Sequence, residues 1–119
     1  MKLMYQLEKT VEIDSAHFLP NYEGKCHQLH GHRWKVVIRI GSDKLNEQGM
    51  VIDFTKIKEV VNTFDHACLN DFIEQPTAEN LGADILRRMR NICGKEVFIE
   101  VDVYETPDSK LTVMEKIGE

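Results

Sequence analysis

Three histidines, His17, His30 and His32, are the residues of this 119-residue chain whose types and spacing point most directly to chemistry. His30 and His32 stand two apart where an apolar-alternating run begins, so in a strand both imidazoles project from one face and can meet one ion. His17 sits upstream, at the end of another alternating run. Three imidazoles with no obvious fourth protein ligand describe a catalytic zinc site, its fourth position left to water or substrate, rather than a closed structural site. Cys26, four residues before His30, then reads as a thiol beside the metal more than as a ligand, because a nearby cation favours the thiolate, a usable base or nucleophile. An isolated His-x-His is weak evidence. Here all five histidines (His17, His27, His30, His32 and His66) fall in the first 66 residues, and three of them lie within six positions beside one cysteine.

Two strands are expected to position these groups. Tyr5, Leu7, Val11 and Ile13 occupy odd positions between polar neighbours, a period of two that Lys9 alone breaks, and the run continues into Ser15-Ala16-His17-Phe18. Pro20, Asn21 and Gly24 mark a loop that returns the chain to the cysteine and the histidine pair. Trp34, Val36, Ile38 and Ile40 then share the parity of His30, with Arg33, Lys35 and Arg39 on the other face. Ile57, Val60, Val61 and Phe64 are spaced as on a helix that Asp53 or Thr55 can cap, with Asp65-His66 at its end and Asn70-Asp71 opening a polar loop. Pro76-Thr77-Ala78-Glu79-Asn80 predicts a second helix start, followed by Leu81, Ile85, Leu86 and Met89 and a stop at Gly94. Val97, Ile99, Val101 and Val103 alternate as a strand, and a short one from Leu111 to Met114 follows Pro107. The order β-β-α-α-β-β predicts an α+β fold: a four-stranded antiparallel sheet with both helices on one face. The other face and two open edges then call for a second subunit, so an oligomer is expected.

Composition narrows the function classes. With 42% hydrophobic and 29% charged residues, residues 1–119 are expected to form one domain with an adequate core. Met1-Lys2-Leu3-Met4 is followed by polar Gln6, Glu8 and Lys9, which predicts neither a signal peptide nor a membrane span, hence a soluble protein. A net charge of −5 without a basic block argues against nucleic-acid or anionic-membrane partners and leaves room for a small basic pocket. Three cysteines, at 26, 68 and 93, are odd in number and form no Cys-x-x-Cys, which predicts free thiols and a cytoplasmic location. No internal repeat, phosphate-binding Gly-rich loop or Ser-His-Asp spacing is evident.

Ser15-Ala16-His17, Cys26-x-x-x-His30-Gly31-His32, Asp65-His66 with Leu69-Asn70, Pro76-Thr77-Ala78-Glu79-Asn80 and Glu105-Thr106 occur in an order that resembles the 6-pyruvoyltetrahydropterin synthase/6-carboxytetrahydropterin synthase family over nearly the whole chain. The three residues between Cys26 and His30 are similar to the 6-carboxytetrahydropterin synthase branch of queuosine (7-deazapurine) biosynthesis; the biopterin-forming branch typically has a longer interval. The resemblance implies the tunnelling fold, whose units assemble into an oligomeric barrel, commonly a homohexamer built as a dimer of trimers. It implies Zn²⁺ held by His17, His30 and His32, with Cys26 as proton acceptor and Asp65, His66 and Glu105 as supporting catalytic groups. Glu105, Thr77 and Glu79 would meet the pterin. The implied reaction converts 7,8-dihydroneopterin triphosphate to 6-carboxy-5,6,7,8-tetrahydropterin, acetaldehyde and triphosphate, with no redox cofactor. One departure lies in the last strand, where Leu111-Thr112-Val113 stands in place of the aromatic residue that members of the carboxy branch often carry after Glu-Thr.

Each residue also has a plainer reading. Cys26 is compatible with an ordinary loop position, and Cys68 and Cys93 with buried thiols. His66 suits a helix C-terminus, although Asp65 does not. Glu105 is compatible with an exposed strand end, but a carboxylate also matches the ring N–H and amino donors of a pterin. Thr77 and Glu79 are first of all helix-start residues, and His27 is expected to be exposed. Lys25, Arg33 and Lys35 lie near the motif in sequence, though parity can turn them away from a triphosphate. The rival functions are the pyruvoyl-forming reaction, a dihydroneopterin-aldolase-like cleavage, and a metal-dependent pterin-binding module without turnover; product analysis separates them.

Overall fold

The computed structural model describes residues 1–115. The chain runs β1 (Tyr5–His17), β2 (His30–Ser42), α1 (Phe54–Asn62), β3 (Ala67–Cys68), α2 (Ala78–Cys93), β4 (Phe98–Thr106) and β5 (Ser109–Met114), with short 3-10 turns at Lys25–His27 and Leu69–Asp71. These strands form one sheet in the order β3-β1-β2-β4-β5.

The long hairpin of β1 and β2 is antiparallel from Tyr5 opposite Ser42 to His17 opposite His30, so the two ends that matter are brought side by side by register alone. β4 pairs antiparallel with β2, and β5 with β4. The expectation of four antiparallel strands needs one correction: a fifth, β3, joins the outer edge of β1 in parallel, pairing Ser15 with Ala67 and Ala16 with Cys68. Two residues carry no periodicity, so a pattern of alternation has nothing to detect there. The polar loop expected around Asn70 is correspondingly a 3-10 turn.

Both helices cover one face. Val11 and Ile13 of β1, Trp34, Val36, Ile38 and Ile40 of β2, and Ile99, Val101 and Val103 of β4 form a single core with Ile57, Val60 and Val61 of α1 and Leu81, Ile85, Leu86 and Met89 of α2. Each such side chain contributes about 1.5–3 kcal/mol when fully buried. Asp53 caps α1, accepting the Thr55 N–H at 2.9 Å, and Thr77 caps α2 by accepting the Asn80 N–H at 3.1 Å. Gly94, with φ of 79°, ends α2 in a conformation that side chains disfavour. Gly82 lets α2 approach the sheet closely, since a Cβ there would lie 2.9 Å from Val113 Cγ2 and 3.2 Å from Val103 Cγ2.

The opposite face is a lattice of charges rather than a second apolar surface. Arg39 donates to Glu8 at 2.8 Å, to Glu100 at 3.1 Å and to Asp102 at 2.8 Å, while Thr112 donates to Asp102 at 2.6 Å. Asp102 is fully buried beneath this cover. Burial pushes its carboxyl up, but Thr112, Arg39 and Lys110 outweigh burial and hold it below the usual range. Among the described residues, no helix is long and apolar enough to cross a membrane.

Candidate metal centre

The odd parity of β1 and the even parity of β2 aim His17, His30 and His32 to the helix-covered side at the open end of the hairpin. Their ring centroids lie 4.6 Å (His17 to His30), 5.2 Å (His17 to His32) and 4.8 Å (His30 to His32) apart. Trp34, the next residue of that parity on β2, supports them from below. Its indole meets His17 edge-on at 4.9 Å and His32 at 5.4 Å, and its Nε1–H donates to the Ser15 carbonyl at 3.1 Å.

Two of the rings have their tautomers set by backbone carbonyls. His17 Nδ1–H donates to the Pro76 oxygen at 2.7 Å, and His30 Nδ1–H donates to the Gln28 oxygen at 2.7 Å. A carbonyl only accepts, so Nδ1 must carry the proton and Nε2 is free to present its lone pair. Pro76 immediately precedes Thr77, the cap of α2, so the segment that leads into the second helix fixes the first-strand histidine directly. Burial lowers the His32 pKa most strongly; His17 and His30 lower it further and Glu105 opposes them, with the neutral ring favoured on balance.

The fourth group to arrive is Glu105. Its Oε1 lies 3.1 Å from His17 Nε2 and 3.3 Å from His32 Nε2, and the four ligating atoms of His17, His30, His32 and Glu105 all fall within 4.8 Å of one another. Strand parity explains how it gets there: Glu105 follows Ile99, Val101 and Val103 on the helix-covered side of β4, and the pairing of β4 with β5 shifts beside it, between Tyr104 and Thr106. Neither His17 Nε2 nor His32 Nε2, both buried, makes a hydrogen bond. Unpartnered imidazole nitrogens facing a carboxylate oxygen form a donor set suited to a cation, and the locked Nδ1–H bonds are the usual support of a metal-bound histidine. The residues present fit a metal ion.

The other expected residues lie elsewhere. Cys26 is half-buried in the 3-10 turn before β2 and is not among the four convergent groups. Asp65 and His66 form a separate cluster with Asp14. Asp65 accepts the Asp14 N–H at 2.9 Å, and its other oxygen is 3.5 Å from His66 Nε2. His66 is exposed and holds φ of 53°, the one non-glycine residue with positive φ among those described. The dyad sits at the outer edge of β1 beside Asp14, whose side chain meets Arg33 on the charged face, apart from the three histidines. Thr77 and Glu79 stand at the α2 start, Thr77 as its cap and Glu79 exposed in the first turn. His27 is exposed, as expected. Arg33 is taken up by Glu12 and Asp14, and Lys35 lies over the Tyr104 ring at 4.1 Å, both on the charged face as parity predicts. Two residues quoted only as parts of motifs prove to be supporting groups. Pro76 acts through its backbone carbonyl, which no side-chain pattern signals, and Asn70 clamps the backbone of Phe18.

The sequence profile of the 6-pyruvoyl tetrahydropterin synthase family matches residues 6–116. A Synechocystis protein named 6-carboxy-5,6,7,8-tetrahydropterin synthase is 37% identical over 114 residues, covering 87% of this chain and 88% of the relative. A Bacillus subtilis protein of the same name is 30% identical over 128 residues, covering 96% and 88%. In fold, the chain is similar to Caenorhabditis elegans 6-pyruvoyl tetrahydropterin synthase, with a TM-score of 0.77 at 22% identity over 96% of this chain and 97% of that one. Such a likeness establishes the α+β tunnelling fold. Fold, profile and relatives together place this chain in the 6-pyruvoyl tetrahydropterin synthase family, a family of lyases.

Proposed function

We propose that the protein is a zinc-dependent 6-carboxy-5,6,7,8-tetrahydropterin synthase, converting 7,8-dihydroneopterin triphosphate to 6-carboxy-5,6,7,8-tetrahydropterin, acetaldehyde and triphosphate in queuosine biosynthesis. The observation that carries this reading is the meeting of the free His17 and His32 Nε2 atoms with Glu105, in a chain whose relatives bear that name. The three-residue interval between Cys26 and His30 supports the carboxy product over the pyruvoyl one.

In this reading His17, His30 and His32 hold the metal, two of them with their tautomers already set. Bound zinc would supply a Lewis acid that acidifies the hydroxyls and adjacent C–H bonds of the substrate side chain. Cys26 takes a carbon-bound proton as thiolate, and His66, oriented by Asp65, moves protons on the opposite side. Glu105 accepts hydrogen bonds from the pterin ring N–H and amino groups, its side of the sheet set by the parity of β4, with Thr77 and Glu79 at the α2 start as further pterin contacts.

Assembly belongs to the same proposal. The Asp65–His66 dyad at the outer edge of β1 and the three histidines form separate clusters in one chain, so a site that uses both is completed by a second copy of the chain. Phe98 and Met114, both exposed on the charged face, and the edge strand β5 favour such association. We take the assembly to be the homohexamer typical of the tunnelling fold, acting in the cytoplasm.

Metal dependence tests the reading. Stripping the protein with a chelator should abolish turnover of 7,8-dihydroneopterin triphosphate, and one equivalent of zinc per chain should restore it. Full turnover by stripped protein with no residual metal would refute it.

A further inference from the structure

The end of β1, Asp14 to His17, and Phe18 just beyond it are held on the side away from β2 by one short segment, residues 65–70. The His66 N–H donates to the Asp14 carbonyl at 2.7 Å, and the Asp14 N–H donates to Asp65 at 2.9 Å. Ser15 Oγ donates to the Ala67 carbonyl at 2.8 Å, and β3 pairs with Ser15 and Ala16. At Cys68 that strand ends and the chain turns into the 3-10 helix Leu69–Asp71, so no strand backbone remains to meet the last residue of the edge, Phe18. Asn70 meets it instead. Its Oδ1 accepts the Phe18 N–H at 3.0 Å, and its Nδ2 donates to the Phe18 carbonyl at 2.9 Å.

A primary amide offers the same donor and acceptor pair as a peptide unit, so Asn70 extends the ladder by one step with a side chain in place of a strand. That step lies immediately after His17. The bond from His17 Nδ1 to Pro76 fixes one atom of the ring, while the direction from which the ring approaches depends on the backbone on either side of it. β3 holds Ala16, and Asn70 holds Phe18. We propose that Asn70 is a positioning residue for the metal centre, clamping Phe18 so that His17 Nε2 points at the ion; the inference rests on the metal-binding reading above. A lysine, serine or leucine at position 70 lacks the paired donor and acceptor at that reach.

The test compares zinc affinity, measured by competition with a chromophoric chelator, with thermal stability of the metal-free protein. It uses Asn70→Ala, the similarly sized but apolar Asn70→Leu, His17→Ala, and Asn46→Ala as a control. Asn46 performs a comparable backbone clamp away from the site, accepting the Gln48 and Met50 N–H groups at 3.0 Å. Removing a supporting group of this kind typically weakens metal binding ~10–100-fold, and both Asn70 variants should show that loss while Asn46→Ala binds zinc as the parent does. The Leu variant carries the test should the Ala variant fail to fold. Parent-like affinity in the Asn70 variants alongside a loss in His17→Ala would overturn the positioning role alone. Parent-like affinity in His17→Ala as well would overturn the metal reading and this inference with it. An equal loss in Asn46→Ala would reduce the effect to general destabilisation and overturn the role of Asn70.

Discussion

His17 Nε2 and Glu105 Oε1 face each other at 3.1 Å while the other nitrogen of the same imidazole already donates to the Pro76 carbonyl. A neutral ring so bound has only a lone pair left at Nε2, and a carboxylate has only lone pairs to offer. Two acceptors hold that separation when a cation lies between or beside them, and His32 Nε2, 3.3 Å from the same oxygen, repeats the demand. The end of the β1–β2 hairpin thus gathers lone pairs that a bound cation would satisfy.

Glu105 is expected to act on the substrate and not as an obligatory ligand. Glu105→Gln should keep zinc affinity within about tenfold of the parent, because three imidazoles suffice for an open zinc site. Pterin affinity should fall about 10–100-fold, the worth of one charge-assisted hydrogen bond. Metal content and substrate binding measured on one preparation check this, and zinc lost in step with pterin would make Glu105 a fourth ligand.

Cys26 and His66 should act at one site from two chains. Cys26→Ala should keep its zinc and lose ~10²–10⁴-fold in turnover, the usual loss for a general base, and His66→Ala should fall comparably. If the two residues reach each site from different copies, unfolding and reassembling the two inactive variants together should restore activity, up to about a quarter of the parent value by random assortment in a symmetric oligomer. No recovery in a mixture shown to have exchanged subunits would place both residues in one chain's site.

Much of this site was legible in the sequence, and the part that was not has a physical cause. His17, His30 and His32 converge because strand parity and one hairpin register suffice to bring them together, and both can be inferred from alternation. Asp53, Thr77 and Gly94 end their helices through local chemistry that residue type alone reveals. Glu105 continues the parity of Ile99, Val101 and Val103, so its side of the sheet follows from the same alternation, while the bulge beside it has no periodic signature. β3 owes its existence to long-range bonds from residues 65–70 to Asp14, Ser15 and Ala16, and two residues have no pattern of their own. The charged face was expected to need covering, whereas Asp102 and Arg39 satisfy much of it from within the chain.

Asp102 should make a pH-dependent contribution to stability. Its folded carboxyl titrates below the ordinary value of 3.8, so the native state gains over the unfolded one above that pH. As pH falls below 3.8 and through the lower folded value, that gain is lost. Asp102→Asn should lower stability by about 1–3 kcal/mol at pH 7 through the loss of charge-assisted bonds to Arg39 and Thr112. Urea unfolding of parent and variant across pH 2–7 checks this, with the two curves converging at the acid end; a constant gap would assign the effect to packing instead.

The most direct measurement is the product formed from 7,8-dihydroneopterin triphosphate by the zinc-loaded protein, identified by mass. The account predicts 6-carboxy-5,6,7,8-tetrahydropterin with acetaldehyde and triphosphate in equal amounts, and none of the three from His30→Ala. A pyruvoyl pterin as the main product, cleavage to a hydroxymethyl pterin, or intact substrate after incubation with fully zinc-loaded protein would contradict it.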